Sequence, residues 1–140
     1  MQKDKKYKFM KPKTFFAPEL IIDNGITDVD FYKKAFGAVE LRRFSNDDGS
    51  IHVSEMEIDG ALFHLHEVTS MYNSSPFKLA GTTVIIGLFV EDVDMVMANA
   101  VEAGATVRSP AQDYEYGYRQ GQIVDPHGHR WQIQKQIPIT

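Results

Sequence analysis

The chain has 140 residues, 43% hydrophobic and 24% charged, with no cysteine and a formal net charge of −4. That is the composition of a globular chain large enough for a sizeable core, and the missing thiols exclude disulfides, thiolate metal sites and cysteine nucleophiles. Six of the 15 bases fall in the first 13 positions, which leaves a body of nine bases and eighteen acids without the basic face a nucleic-acid binder needs.

Residues 1–13, "MQKDKKYKFMKPK", read as a flexible, solvated basic arm, with contact to a polyanion as the alternative. The arm lacks the apolar stretch of a secretory signal, and no run approaches the roughly 18 apolar residues of a membrane span, so the expectation is a cytoplasmic protein with no membrane partner. "TFFAPELII" (14–22) then reads as a strand, and 26–38 as a helix with Thr27 or Asp28 as N-cap and Gly37 at its C-terminal end. Three β-like runs follow at 39–44, 51–58 and 61–68, separated by "NDDG" and by Asp59-Gly60, a strong two-residue hairpin signal. A polar connector (69–82) leads to a second series: a strand at 83–90, a helix at 91–105, and β-like runs near 106–114, 118–125 and 129–136. Phe31, Tyr32 and Phe36 form the buried stripe expected of the first helix, and Met95, Val96, Ala98, Val101 and Ala105 that of the second.

Both halves therefore read β-α-β-β-β, and the letters repeat with the elements. Asp28-Val29-Asp30 matches Asp92-Val93-Asp94, Gly37-Ala38 matches Gly104-Ala105, and Leu20-Ile21-Ile22 matches Leu88-Phe89-Val90. Asp59-Gly60 matches Asp125 to Gly128, where Pro126 and His127 lengthen the turn. A paired metal site at His127 and His129 is not expected, because the first reads as a solvent-facing turn residue and the second opens a strand. No phosphate-binding glycine loop, nucleophile elbow or Walker lysine is present in the sequence.

A duplicated β-α-β-β-β unit carrying "FYKKAFGA" and "YGYRQGQIVDPHGHRWQI" resembles the vicinal oxygen chelate superfamily of glyoxalase I, extradiol dioxygenases, and fosfomycin- and bleomycin-resistance proteins. The ending Gly117, Arg119, Asp125, Pro126, Gly128, His129 and Trp131 is similar to that of its PhnB-like, glyoxalase-like branch. The resemblance implies an α+β fold in which residues 14–140 form a single domain of two modules, 14–68 and 83–136, curling an open sheet around a cleft. It also implies a homodimer, for which exposed strand edges supply a physical motive.

Side chains alternate faces along a strand, so the resemblance places Leu62, His64 and His66 in the cleft and Phe63 and Leu65 on the opposite face. The matching set in the second half is Arg130, Gln132 and Gln134 inward, with Trp131 and Ile133 outward. Carried over position by position, the four metal-ligand places fall on Ala17, His64, Ile85 and Gln132. Two of those are hydrocarbon, where zinc, nickel or iron needs three or four N or O donors. One reading is therefore a binder of a small aromatic or cationic molecule that needs no cofactor, with Tyr116, Arg119, Arg130, Gln132 and Gln134 as ligand contacts. The alternative is a lyase, isomerase or dioxygenase in which Glu19, His64 and His66 act as catalytic acid/base groups or hold a shifted divalent metal. Alternate carboxylates Glu55 and Glu57 read as a solvated strand face, and a role for His52 is not expected.

Overall fold

In the computed structural model, which describes residues 13–69 and 73–139, Asp59 and Gly60 both take positive φ, 49° and 88°. That is the backbone of a tight hairpin whose twist suits its strands, and it joins β3 (Ile51–Ile58) to β4 (Ala61–Glu67). Before them come β1 (Glu19–Ile22), α1 (Phe31–Phe36) and β2 (Val39–Ser45). The second half supplies α2 (Pro76–Leu79), β5 (Ile85–Phe89), α3 (Val93–Glu102), β6 (Thr106–Tyr114), β7 (Tyr118–Val124) and β8 (Arg130–Gln136). Two four-stranded sheets result, ordered β1-β4-β3-β2 and β5-β8-β7-β6, so the repeat in the letters is a repeat in topology. In each, the first strand pairs in parallel with the last and the other pairings are antiparallel.

Several boundaries differ from the sequence expectation, each for a local reason. The first strand is Glu19–Ile22 rather than 14–22, because Pro18 has no N–H to give a ladder. The first helix begins at Phe31, since the Asp28 carboxylate accepts the Asp30 N–H at 2.8 Å and holds that stretch in a turn. Gly37 ends it at φ 70°, as expected. The connector contains the unanticipated α2, started by Ser75 as N-cap and Pro76 behind it. On α3 the buried residues are Val93, Met97 and Ala100, while Met95 and Val101 are about half exposed at 55% and 47% and Ala98 is exposed. The Asp92 carboxylate, accepting Met95 N–H at 3.0 Å, sets that phase. Gly121 makes room for it, because a Cβ there would lie 2.7 Å from Met97 Cε.

Alternation on the last strands is as expected. Phe63 and Leu65 are buried between Leu62, His64 and His66, and Trp131 and Ile133 alternate with Arg130 and Gln132, while Gln134 on the other face is buried as well at 7% exposure. The buried apolar residues join Ile22, Phe31, Tyr32 and Met97 in a core shared by both halves. At its centre the Tyr32 hydroxyl donates to Asp125 Oδ2 at 2.7 Å and the Trp131 indole N–H to the same oxygen at 3.0 Å. Asp125 Oδ1 accepts the backbone N–H groups of His127 and His129 at 2.8 and 3.1 Å. Burial, and then the adjacent negative charge of Asp125, hold the Tyr32 hydroxyl pKa well above its usual value, so Tyr32 remains a donor.

His127 is buried at 7% exposure, against the expectation of a solvent-facing turn residue. The connector explains this: Pro76 and Phe77 lie against the turn, so closely that a Cβ on Gly128 would fall 2.8 Å from Pro76 Cβ. The His127 ring stacks on Tyr32 with centroids 6.1 Å apart, and its Nε2 is buried without a partner among the described residues.

Candidate functional site

β1 and β5 are edge strands of their sheets, and both border one groove of about 990 Å³. Phe16, Pro18, Glu19 and Ile21 line it from the first half, Val84, Ile85, Gly87 and Arg130 from the second, and Pro76 and Leu79 from the connector. The His129 ring crosses between the halves, donating Nε2–H to the Ile21 carbonyl at 2.7 Å. That size falls within the range for small-molecule sites, as does a wall that is mostly hydrocarbon with a few polar groups. The groove thus gathers Ala17, Glu19, Ile85 and Arg130 of the residues singled out in the sequence, while His64, His66, Gln132 and Gln134 are outside its lining.

On the face of the first sheet that carries His64, strand register builds a charged row: Glu19 opposite His64, His64 opposite Glu55, and Glu55 opposite Arg42. Glu19 Oε1 is 4.0 Å from His64 Nδ1. Glu55 is not on a solvated face, since it is buried at 9% exposure and receives Arg42 through Nε at 3.2 Å and Nη2 at 3.1 Å. Arg42 also lies over the Phe44 ring. Arg42 and Glu55 are not adjacent in the sequence, and without the pairing register nothing in the letters brings them together.

His66 donates Nδ1–H to the Glu67 carbonyl at 2.9 Å, and its ring meets that of His52 edge-on at 5.3 Å. His52 in turn donates to Glu67 Oε1 at 3.0 Å. That bond first, with those from Asn24 and Asn46, holds the Glu67 carboxyl below its usual pKa. His52 is thus a member of a polar cluster at the end of β4, which the sequence reading passed over.

The corresponding face of the second sheet carries glutamines and tyrosines beside Arg130. Gln134 Oε1 accepts from Gln120 at 2.7 Å and from Gln132 at 3.0 Å, and the Tyr116 hydroxyl donates to Gln120 Oε1 at 2.5 Å. Tyr114 and Tyr116 stack with centroids 5.2 Å apart, followed by Tyr118 and Phe89. Gly87 leaves space for Gln134, whose Nε2 would be 2.7 Å from a Cβ at that position. Arg119 is on the opposite side, where Asp94 of α3 and its β6 neighbour Asp113 take its guanidinium at 2.8 and 2.9 Å. Their hydrogen bonds raise its pKa further and keep it away from the glutamine face.

The family model for the glyoxalase/bleomycin resistance protein/dioxygenase superfamily matches residues 26–133. The chain belongs to this superfamily. An uncharacterized protein of Mycobacterium bovis is 39% identical over 121 residues, which are 84% of this chain and 80% of that one. A solved gene product of Arabidopsis thaliana is 30% identical with a TM-score of 0.67, over 87% of this chain and 98% of its own. TioX from Micromonospora is 25% identical with a TM-score of 0.63, over 88% of this chain and 100% of its own.

Superfamily members of known activity imply a divalent metal, and the residues at the corresponding places do not fit one. Ala17 and Ile85 present hydrocarbon in the groove wall, which leaves His64 and the weak amide donor of Gln132. His64 has Glu19, not Ala17, as its strand partner, and Gln132 has Gly87, not Ile85. Among the described residues no three His, Asp or Glu side chains are gathered closely enough to hold an ion. None of the described helices is long and apolar enough to cross a membrane.

Proposed function

We propose that this superfamily member binds a small, largely apolar molecule in the groove between β1 and β5, and that binding does not pass through a metal at the family's usual place. The observation carrying this reading is a drug-sized groove whose wall is hydrocarbon at Ala17 and Ile85, where the resemblance leads one to expect donor atoms. The same reading pairs two copies of the chain, since Phe89 on β5 and Tyr116 in the turn between β6 and β7 are exposed at 59% and 57%. The PhnB-like ending supports placing the chain in that branch.

A test uses the neutral fluorescent dye N-phenyl-1-naphthylamine. Wild type binds it, and Ile85→Trp, which fills the groove from an exposed position, weakens binding on the order of tenfold or more with little change in unfolding midpoint. Equal binding by both proteins places the dye elsewhere and defeats the reading. The competing acid/base reading is favoured by the approach of Glu19 to His64, 4.0 Å apart. Against it, His66 turns its Nδ1 to a backbone carbonyl.

A further inference from the structure

Arginine is charged at every pH the fold survives, and a guanidinium withdrawn from water without a partner is costly. The chain otherwise observes this: Arg42 holds Glu55, Arg43 holds Glu40, and Arg119 holds Asp94 and Asp113. Arg108 is exposed to solvent. Arg130 is the exception, half-buried in the wall of the groove with no hydrogen-bond or ion-pair partner among the described residues. Its strand neighbours Ile85 and Val124 offer it only hydrocarbon side chains. Glu19, which lines the same groove, is not within ion-pair distance of it and approaches His64 instead.

Resting on the small-molecule reading of the groove, we propose that its natural ligand carries an anionic head, a carboxylate, sulfonate or phosphate ester, that pairs with the Arg130 guanidinium while an apolar body fills the space between Ile21, Ile85 and Leu79. A planar fork of N–H donors matches the paired oxygens of such a head, and the apolar wall strengthens the attraction by keeping water away. The net negative body of the chain disfavours any anion at long range, so the selectivity resides in this one residue. The ligand class is therefore an amphiphilic acid rather than the cationic compound that the chain's overall charge suggests.

Two dyes differing only in the head separate the claims: N-phenyl-1-naphthylamine, which is neutral, and 8-anilinonaphthalene-1-sulfonate. In fluorescence titrations at low salt, Arg130→Gln weakens the sulfonate dye about tenfold and leaves the neutral dye within about twofold. Arg130→Lys, which keeps the charge and loses the fork, falls between the two. Because an unpaired charge is removed, the unfolding midpoint of Arg130→Gln stays level or rises. Both dyes weakened alike, or neither, overturns the anionic head while leaving the groove reading standing, and a sharp fall in midpoint overturns it by showing a structural role. Failure of wild type to bind either dye defeats the groove reading itself, and the proposal with it.

Discussion

Replacing Tyr32 by Phe removes one oxygen from the centre of the molecule and leaves its ring contacts in place: Phe31 at 5.2 Å, Phe63 at 5.5 Å and Trp131 at 6.0 Å between centroids. What is lost is a 2.7 Å hydrogen bond to the buried carboxylate of Asp125, which keeps the Trp131 indole and two backbone N–H groups. A hydrogen bond to a charged group contributes about 1.5–3 kcal/mol. At about 3 °C per kcal/mol for a domain of this length, the unfolding midpoint falls by roughly 5–9 °C. Asp125→Ala is the harsher change, because it strands four donors at once, three of them buried, and about 4 kcal/mol or more is expected. Trp131 is the chain's single tryptophan and is 2% exposed, so its emission reports urea unfolding directly, with far-ultraviolet circular dichroism as the second probe. Tyr118→Phe serves as control, since its hydroxyl has only a 3.5 Å contact from Gln136 at an exposed position. Tyr32→Phe unfolding within about 0.5 kcal/mol of wild type at unchanged urea slope contradicts the reasoning, because the bond would then be worth no more than a surface contact.

Stability should also respond to mild acid. Burial lowers the His127 pKa, against the pull of Asp125, Asp23 and Asp28 and with the help of His129, so the unfolded chain takes up this proton first. The contribution is complete above about pH 6.5 and shrinks as pH falls below it, so the midpoint should drop as pH falls below that value and drop less in His127→Gln; an unchanged profile in the variant assigns the loss elsewhere. Added zinc or nickel should shift the wild-type midpoint by less than about 1 °C, since mass-action stabilisation needs a site that binds. A larger rise that disappears in His64→Ala restores the metal-dependent reading.

What could be read from the letters was whatever depends on neighbours in sequence. The hairpin at Asp59-Gly60, Gly37 at the helix end, the period of two that buries Phe63, Leu65, Trp131 and Ile133, and the tandem β-α-β-β-β order all follow from local backbone chemistry. What escaped depends on contacts between distant segments. His127 is buried because a connector some fifty residues earlier in the chain folds over its turn, and Glu55 is paired because β2 and β3 happen to register Arg42 opposite it. The ending that carried the family resemblance proves to be structural. Asp125 and Trp131 are committed to Tyr32 and to the two module halves it joins, Gly128 to close contact with Pro76, and His129 to the Ile21 carbonyl. A motif of that kind announces how the halves are fastened, and the residues that choose a ligand must be sought where no internal partner claims them. On that criterion Arg130, which lies inside the ending between His129 and Trp131, is where the proposed ligand's head is to be sought.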